Sequence, residues 1–144
     1  MILMIRIAGL VDVNADVQEA LFRMRLRRKY SAILIQETPE NLKLIQKVRN
    51  FVAFGPVDEK TLSLLLEKRA KVVGKGKLDV KSIVAGLQTQ AKKGKLDLLA
   101  LGVKPFFRLH PPINGIDSKI HFGRKKGVLG DNKEKINDLV RRML

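Results

Sequence analysis

Residues 32–57 read AILIQETPENLKLIQKVRNFVAFGPV, and their pattern predicts two strands with a helix between them. It opens with a short apolar, β-branched run, which is typical of a strand. Thr38 and Pro39 then provide a capping hydroxyl and a proline at the first helical position, where its missing N–H costs nothing. Residues 51–54 predict a further strand, which we expect to end at the following Gly-Pro pair. The helix between the strands has one apolar stripe, at Leu42, Ile45 and Val48.

The residues before this stretch predict another strand and another helix. An apolar run around Arg6 continues to Val13 and predicts the first strand. Asp16, with Glu19 three residues later, predicts a helix cap, because a carboxylate accepts the free backbone N–H groups of a first turn. The order over residues 1–57 is therefore β-α-β-α-β, which predicts a sheet packed against helices. The buried face of this helix is predicted at Val17, Ala20, Leu21 and Met24.

Beyond Val57 the pattern changes to helices separated by basic connections. Asp58 and Asp79 each stand where they can cap a helix. Residues 115–130 show no period, so we expect an irregular basic segment that becomes ordered only on binding. Asp131 begins a capping box before a last amphipathic helix. We therefore predict an addition, residues 58–144, packed on a core formed by residues 1–57.

The composition excludes several classes of function. The chain has 144 residues and 45% hydrophobic residues, enough for a sizeable core in one domain. There is no cysteine, which excludes disulfides, thiolate metal sites and thiol nucleophiles, and with only two histidines we predict no metal and no cofactor. No stretch is apolar enough to span a membrane. With 29 Lys and Arg against 14 Asp and Glu, the net charge of +15 predicts a polyanionic partner. Together with the cysteine content and the lack of an apolar span, it leads us to expect a cytoplasmic protein.

A first cationic cluster lies at the end of the first helix and in the turn after it. No acid stands between Glu19 and Glu37 to neutralise it. One interpretation is a solvated helix end, where cations interact favourably with the helix dipole. Five cations exceed what a helix end needs, and a phosphate-binding surface explains the surplus better. The members of the cluster are Arg23, Arg25, Arg27, Arg28 and Lys29.

A second cationic cluster lies after Gly102, opposed by Asp117 alone. Phe106, Phe107 and Phe122 are interleaved with its cations, which is typical of a segment that binds RNA by backbone contacts and stacking. The alternative for Phe106 and Phe107 is a place in the core, since aromatic residues in strands usually face inward. The members of this cluster are Lys104, Arg108, Lys119, Arg124, Lys125 and Lys126.

A third patch and the two histidines leave alternatives open. The third patch is either a phosphate contact or a flexible loop, and its spacing does not match a nucleotide-binding Walker loop. His110 and His121 could act in acid–base catalysis on RNA, but phosphate contact is the simpler role for His121. The third patch comprises Lys68, Arg69, Lys71, Lys75 and Lys77.

Several blocks in order along the chain carry a resemblance to a known family. They include MIRIAG from Met4, LRR from Leu26, KVRNFV from Lys47, GPVD from Gly55, FRLHPP from Phe107 and KINDLVRRM from Lys135. With these blocks the chain resembles the large-subunit ribosomal protein family numbered thirty in bacteria and archaea and seven in eukaryotes, in its longer archaeal form. The match covers almost the whole chain, and the FRLHPP block is its most specific part.

The resemblance implies an α+β protein with an antiparallel three-stranded sheet in its β-α-β-α-β core, followed by helical and extended additions. It implies contact with 23S-type rRNA and neighbouring ribosomal proteins, and a position near 5S rRNA. Carried over by position, the turn with Arg27 and Arg28 and residues 107–112, including His110, are the expected RNA contacts. The chain departs from the family where Ile113 and Asn114 follow the prolines, which removes one expected phosphate contact. The family tends to begin near Met4, so residues 1–3 are an extension or a misassigned start.

The leading hypothesis is a structural rRNA-binding protein of the archaeal large subunit, not an enzyme. A second hypothesis keeps the RNA partner and makes the protein an assembly or rRNA-processing factor. A third, from a different class, is a small RNA-cleaving or RNA-modifying enzyme that uses His110 or His121.

Overall fold

A computed structural model describes residues 1–74, 79–94 and 96–144 of the chain. The described strands are β1 (Ile2–Arg6), β2 (Ser31–Ile35), β3 (Val52–Pro56), β4 (Phe107–Arg108), β5 (Ser118–His121) and β6 (Gly127–Asp131). The described helices are α1 (Ala15–Arg23), α2 (Pro39–Val48), α3 (Glu59–Arg69), α4 (Val80–Lys92) and α5 (Ile136–Met143). A 3-10 turn at Lys133–Lys135 leads into α5.

The strands form one mixed sheet in the order β4-β2-β1-β3-β6-β5. β1 is antiparallel to both β2 and β3, so that Ile2 stands opposite Ile35 on one side and Pro56 on the other. β4 pairs antiparallel with β2, whereas β6 runs parallel to β3. The α+β class agrees with the expectation, but the observed sheet has six strands rather than the expected three. Strands from beyond residue 57 extend the sheet at both edges.

The alternation of side chains along β1 divides the core between the two faces of the sheet. Leu3 and Ile5 pack on the face covered by α3, α4 and α5. Ile2 and Met4 pack on the opposite face, with α1 and α2. Because both faces are covered, every residue of β1 is buried. Residues 2 and 3 are thus integral to the central strand, with Leu3 paired to both neighbouring strands.

The first strand is shorter than predicted, because after Arg6 the backbone leaves the sheet and forms other hydrogen bonds. The N–H groups of Ile7 and Ala8 both donate to the carbonyl of Phe51, at 3.0 and 3.1 Å. The Arg6 side chain also donates to the carbonyls of Ala8 and Gly9. The predicted continuation to Val13 was therefore wrong, and residues 7–14 form a loop.

The helix caps were predicted in part. Thr38 caps α2 by accepting a 3.3 Å hydrogen bond from the Asn41 N–H, and Pro39 is its first residue. Helix α1 begins after Asn14, so the cap predicted at Asp16 was two residues late and Asp16 lies inside the first turn. The Asp131 carboxylate accepts a 2.9 Å hydrogen bond from the Lys133 N–H, but the 3-10 turn begins after Asn132 and α5 after Lys135, so Asp131 is the cap of neither.

The predictions of an irregular segment at 115–130 and of a strand ending before Gly55 were also wrong. The first segment contains β5 and most of β6, and Val128 and Leu129 are buried in the core. β6 is short and contains two glycines, Gly127 and Gly130, so its sequence shows no clear alternation. β3 continues through Gly55 because this residue pairs with Leu3 of β1. The glycine is needed here because the backbone of the 3-10 turn crosses the strand closely, and a Cβ on Gly55 would clash with the carbonyl oxygen of Lys133.

Candidate nucleic-acid interface

The α1–β2 turn is a helix cap in which an arginine occupies a glycine position. The Leu26 N–H donates to the Leu21 carbonyl at 2.8 Å, and the Arg25 N–H donates to the Phe22 carbonyl at 2.9 Å. These two bonds define a Schellman motif, whose left-handed residue is usually glycine. Here it is Arg25, with φ of 62°. The turn thus holds a cation in a backbone conformation that is unfavourable for any residue with a side chain.

A buried arginine supports this turn from beneath. Arg6 is fully buried, and its guanidinium donates to the Leu26 carbonyl at 2.6 Å and to the Gly9 carbonyl at 2.9 Å. Its Nε donates to the Ala8 carbonyl at 3.0 Å. Burial lowers the pKa of Arg6 from its ordinary value, because a low-polarity interior disfavours the charged form. The sequence placed Arg6 only within a strand and gave no sign of this supporting role.

The turn and β4 together form a cationic cleft of about 260 Å³. Pairing of β4 with β2 places Arg108 opposite Ser31, directly after the turn. Arg108 was assigned to the second cluster, and the structure brings it to three arginines of the first. We call this site the arginine cleft. It is lined by Arg25, Arg27, Arg28, Ser31, Phe106 and Arg108.

The other two residues of the first cluster lie outside the arginine cleft. Arg23 pairs with Glu19 one helical turn earlier, at 2.5 Å between exposed side chains. It lines a separate hollow between α1 and α2, together with Lys47. Lys29 is exposed and runs along the backbone at Gly9. The sequence distinguished none of these positions, because all five cations follow one another within seven residues.

The structure does not bring the second cluster together. Arg108 lies on β4, whereas Lys119 lies on β5 at the opposite edge of the sheet. Lys104 precedes β4, and its backbone N–H donates to the Lys71 carbonyl at 2.9 Å. His110 has an exposed side chain, and its backbone N–H donates to Met143 in α5 at 2.9 Å.

Three consecutive cations form the tight connection between β5 and β6, which we call the basic turn: Arg124, Lys125 and Lys126. The Gly127 N–H donates to the Arg124 carbonyl at 2.7 Å and closes the turn. Lys125 and Lys126 occupy its central positions with φ of 38° and 57°. Positive φ at both central positions is typical of a type I′ turn, which favours Asn-Gly. The basic turn therefore repeats the feature seen at Arg25, cations held where glycine is preferred.

The aromatic residues and the third patch divide between core and surface. Phe107 is fully buried, as the core interpretation predicts. Phe106 is only half-buried, with the Arg108 guanidinium 5.8 Å from its ring centroid. In the third patch, Arg69 donates to the Leu144 carbonyl at 2.6 Å and so connects α3 to the end of the chain. Lys75 and Lys77 lie outside the described residues.

His121 is held by a neighbour across the sheet. Its Nε2 lies 3.0 Å from Oδ1 of Asn50, and both side chains are exposed. An amide oxygen only accepts, so the two side chains form a hydrogen bond in the tautomer that carries the proton on Nε2. In the described parts of the chain no helix is long and apolar enough to cross a membrane.

Comparisons with known proteins identify the class of the chain. No protein-family model matches it. It is 38% identical over 149 residues to large ribosomal subunit protein uL30 of Nanoarchaeum equitans, covering 96% of each chain. It is 36% identical over 153 residues to the protein of the same name from Archaeoglobus fulgidus, covering 99% of each chain. These relatives are proteins of the large ribosomal subunit.

A third relative has the same name. Large ribosomal subunit protein uL30 of Pyrobaculum aerophilum is 34% identical over 164 residues, covering 97% of this chain and 92% of its own. The chain belongs to the uL30 family. The resemblance inferred from the sequence blocks is thereby confirmed.

Proposed function

We propose that this chain is a structural constituent of the large ribosomal subunit, in the cytoplasm, and that it binds rRNA through cations presented at two edges of its sheet. Membership of the uL30 family supports the place in the subunit and a structural rather than enzymatic role. The observation that supports this mode of binding is the arginine cleft, where two segments of the chain place four arginines on one concave surface.

The charges of the arginine cleft are available to a partner. Among the described residues, the salt bridges involve only Arg23 and Arg141 as cations, and neither lines the cleft. Guanidinium groups bind phosphate with paired N–H donors, and each neutralised phosphate releases condensed counterions. Binding of rRNA at the cleft therefore neutralises cations that the fold leaves without carboxylate partners.

The basic turn forms a second contact surface on the opposite edge of the sheet. Five strand spacings separate β4 from β5, which amounts to roughly 24 Å at about 4.8 Å per spacing. The two surfaces thus contact different parts of the large-subunit rRNA, and the protein stabilises the rRNA fold by holding both. Lys119 on β5 contributes to the second surface. Contacts of Lys104 and His110 with RNA, and the position near 5S rRNA, stay predictions.

The dependence of binding on salt tests this mechanism. We expect the logarithm of the affinity of the purified protein for a large-subunit rRNA fragment to fall linearly with the logarithm of salt concentration. Each phosphate contact contributes a slope of about −0.7 to −0.9, so the three arginines of the turn alone predict a slope of about −2 to −3. An affinity that does not change with salt would contradict charge neutralisation.

The alternative is an RNA-binding assembly or rRNA-processing factor, and ribosomes from the source organism separate the two. A structural constituent is expected at close to one copy per large subunit after a high-salt wash. A factor would be present on precursor particles and lost from washed mature subunits.

A further inference from the structure

The arginine cleft has features that binding of backbone phosphates alone does not need. It is concave, and besides its arginines it contains two additional groups, an aromatic ring and a serine hydroxyl. Phosphate contacts to a regular RNA helix are made by cations and by hydroxyl or amide groups, and they need no aromatic ring. The ring indicates that a nucleobase, as well as phosphate, enters the cleft, and the serine hydroxyl is placed where it can bond to that base.

The first additional group is the ring of Phe106. It packs against the apolar cluster beneath α1 and α2, which holds it in place, and the rest of the ring borders the cleft. The Arg108 guanidinium lies 5.8 Å from the ring centroid. Aromatic rings and guanidinium planes are the surfaces on which proteins stack single RNA bases. Phe106 and Arg108 together offer both kinds of surface at one wall of the cleft.

The second additional group is the hydroxyl of Ser31. Ser31 is 4% exposed, and it lines the cleft where β2 pairs with Arg108 of β4. A hydroxyl can donate one hydrogen bond and accept others, so it can bond to the edge of a base. In a paired helix the Watson–Crick edge of the base is already bonded to the opposite strand, and the Hoogsteen edge lies in the deep, narrow major groove of A-form RNA.

We infer that the arginine cleft receives a single nucleotide that is unstacked from its RNA strand. The base stacks on Phe106 and Arg108, its edge meets Ser31, and the flanking phosphates bind Arg25, Arg27 and Arg28. This inference rests on the proposed function and specifies the form of RNA at that site as an unpaired base in a loop, bulge or single strand.

The fold holds the cleft ready for such a base. Arg6 fixes the turn at Leu26 from within the core, and the pairing of Ser31 with Arg108 fixes the opposite wall. A site whose walls are set before binding loses little conformational freedom when the nucleotide enters.

Two matched RNA probes test the inference with the full chain. One is a ten-nucleotide single strand with 2-aminopurine at a central position, and the other is the same strand annealed to its complement. We expect the wild-type protein to bind the single strand more tightly than the duplex and to change 2-aminopurine fluorescence only in the single strand. Replacing Phe106 with leucine, F106L, keeps the apolar contact with the core but removes the stacking surface. We expect it to weaken single-strand binding about 5-fold to 100-fold, the range of base–aromatic stacking, with the salt slope unchanged.

F22L is the matched control, because Phe22 is a partly exposed aromatic residue of α1 that does not line the cleft. It should bind both probes as the wild type does. Equal binding of single strand and duplex, with F106L unchanged, would overturn the inference while a steep salt slope still supported the proposed function. Absence of binding to both probes and to an rRNA fragment would instead overturn the proposed function itself.

Discussion

The buried guanidinium of Arg6 donates a 2.6 Å hydrogen bond to the carbonyl of Leu26, in the middle of the α1–β2 turn. Two further bonds from the same side chain reach the carbonyls of Ala8 and Gly9. Among the described residues Arg6 forms no salt bridge, so backbone carbonyls alone compensate for the burial of its charge. One strand residue thus links β1 to the turn that carries three arginines of the cleft.

Loss of this side chain should destabilise the fold. Methionine at position 6 retains an unbranched apolar chain but leaves three carbonyls without their donor. Because hydrogen bonds to charged groups contribute about 1.5 to 3 kcal/mol each and are not additive, we expect R6M to lose roughly 3 to 5 kcal/mol of unfolding free energy. Urea unfolding followed by circular dichroism measures it.

Lysine at position 6 tests whether a positive charge alone stabilises the turn or whether the planar guanidinium is needed. R6K keeps a cation but lacks the planar fork that reaches carbonyls on both sides, so we expect an unfolding free energy between those of R6M and the wild type. If R6M were as stable as the wild type, Arg6 would not be the support of the turn.

Arg25 should strengthen RNA binding and lower the unfolding free energy of the protein. The left-handed conformation costs a residue with a side chain about 1 to 2 kcal/mol. Glycine avoids this cost, but it loses more conformational freedom on folding, and that loss offsets part of the gain. We therefore expect R25G to raise the unfolding free energy by about 0.5 to 1 kcal/mol while weakening binding to an rRNA fragment. Parallel urea unfolding and filter-binding measurements test both signs, and a variant that loses stability would contradict the interpretation of the turn.

The local elements of the first 57 residues could be predicted because each has its own periodic pattern or cap. The apolar stripe of α2 and the cap at Thr38 depend only on residues close in sequence, and the structure contains both. The enlarged sheet could not be predicted in this way. β4 has two residues and β6 contains two glycines, and pairing with β2 and β3 rather than local preference makes them strands.

The candidate site could likewise be predicted only in part. Clusters of cations are visible in the sequence, which is enough to predict a polyanionic partner. Which cations share a surface depends on pairing between distant strands. Arg108 joins the arginine cleft through the register of β4 on β2, and Arg23 leaves it because Glu19 lies one helical turn away. The supporting role of Arg6 depends on burial and three carbonyls that no sequence pattern marks.

Removal of the arginines of the turn should affect binding and not folding. Exposed cations contribute little to stability, so we expect R25A/R27A/R28A to unfold within about 0.5 kcal/mol of the wild type. Alanine at position 25 keeps the backbone strain of the original residue. The salt slope for rRNA binding should become shallower by about 2, which corresponds to three lost phosphate contacts.

R23A is the matched control for this variant, since Arg23 belongs to the same run of cations but pairs with Glu19 outside the cleft. Its salt slope should stay close to that of the wild type. Marked unfolding of R25A/R27A/R28A would show that these arginines belong to the structure rather than to the interface.

The basic turn provides an independent test at the other edge of the sheet. Lys125 and Lys126 stand where a type I′ turn prefers Asn-Gly, and both have positive φ. Replacing them as K125N/K126G relieves that strain, so we expect the unfolding free energy to rise by about 1 kcal/mol. The same change removes two cations, and the salt slope for rRNA binding should become shallower by about 1.5. Since the arginine cleft lies on the opposite edge of the sheet, the effect of K125N/K126G on the salt slope should add to that of R25A/R27A/R28A when the variants are combined. Binding that is unchanged in K125N/K126G would restrict the RNA interface to the arginine cleft.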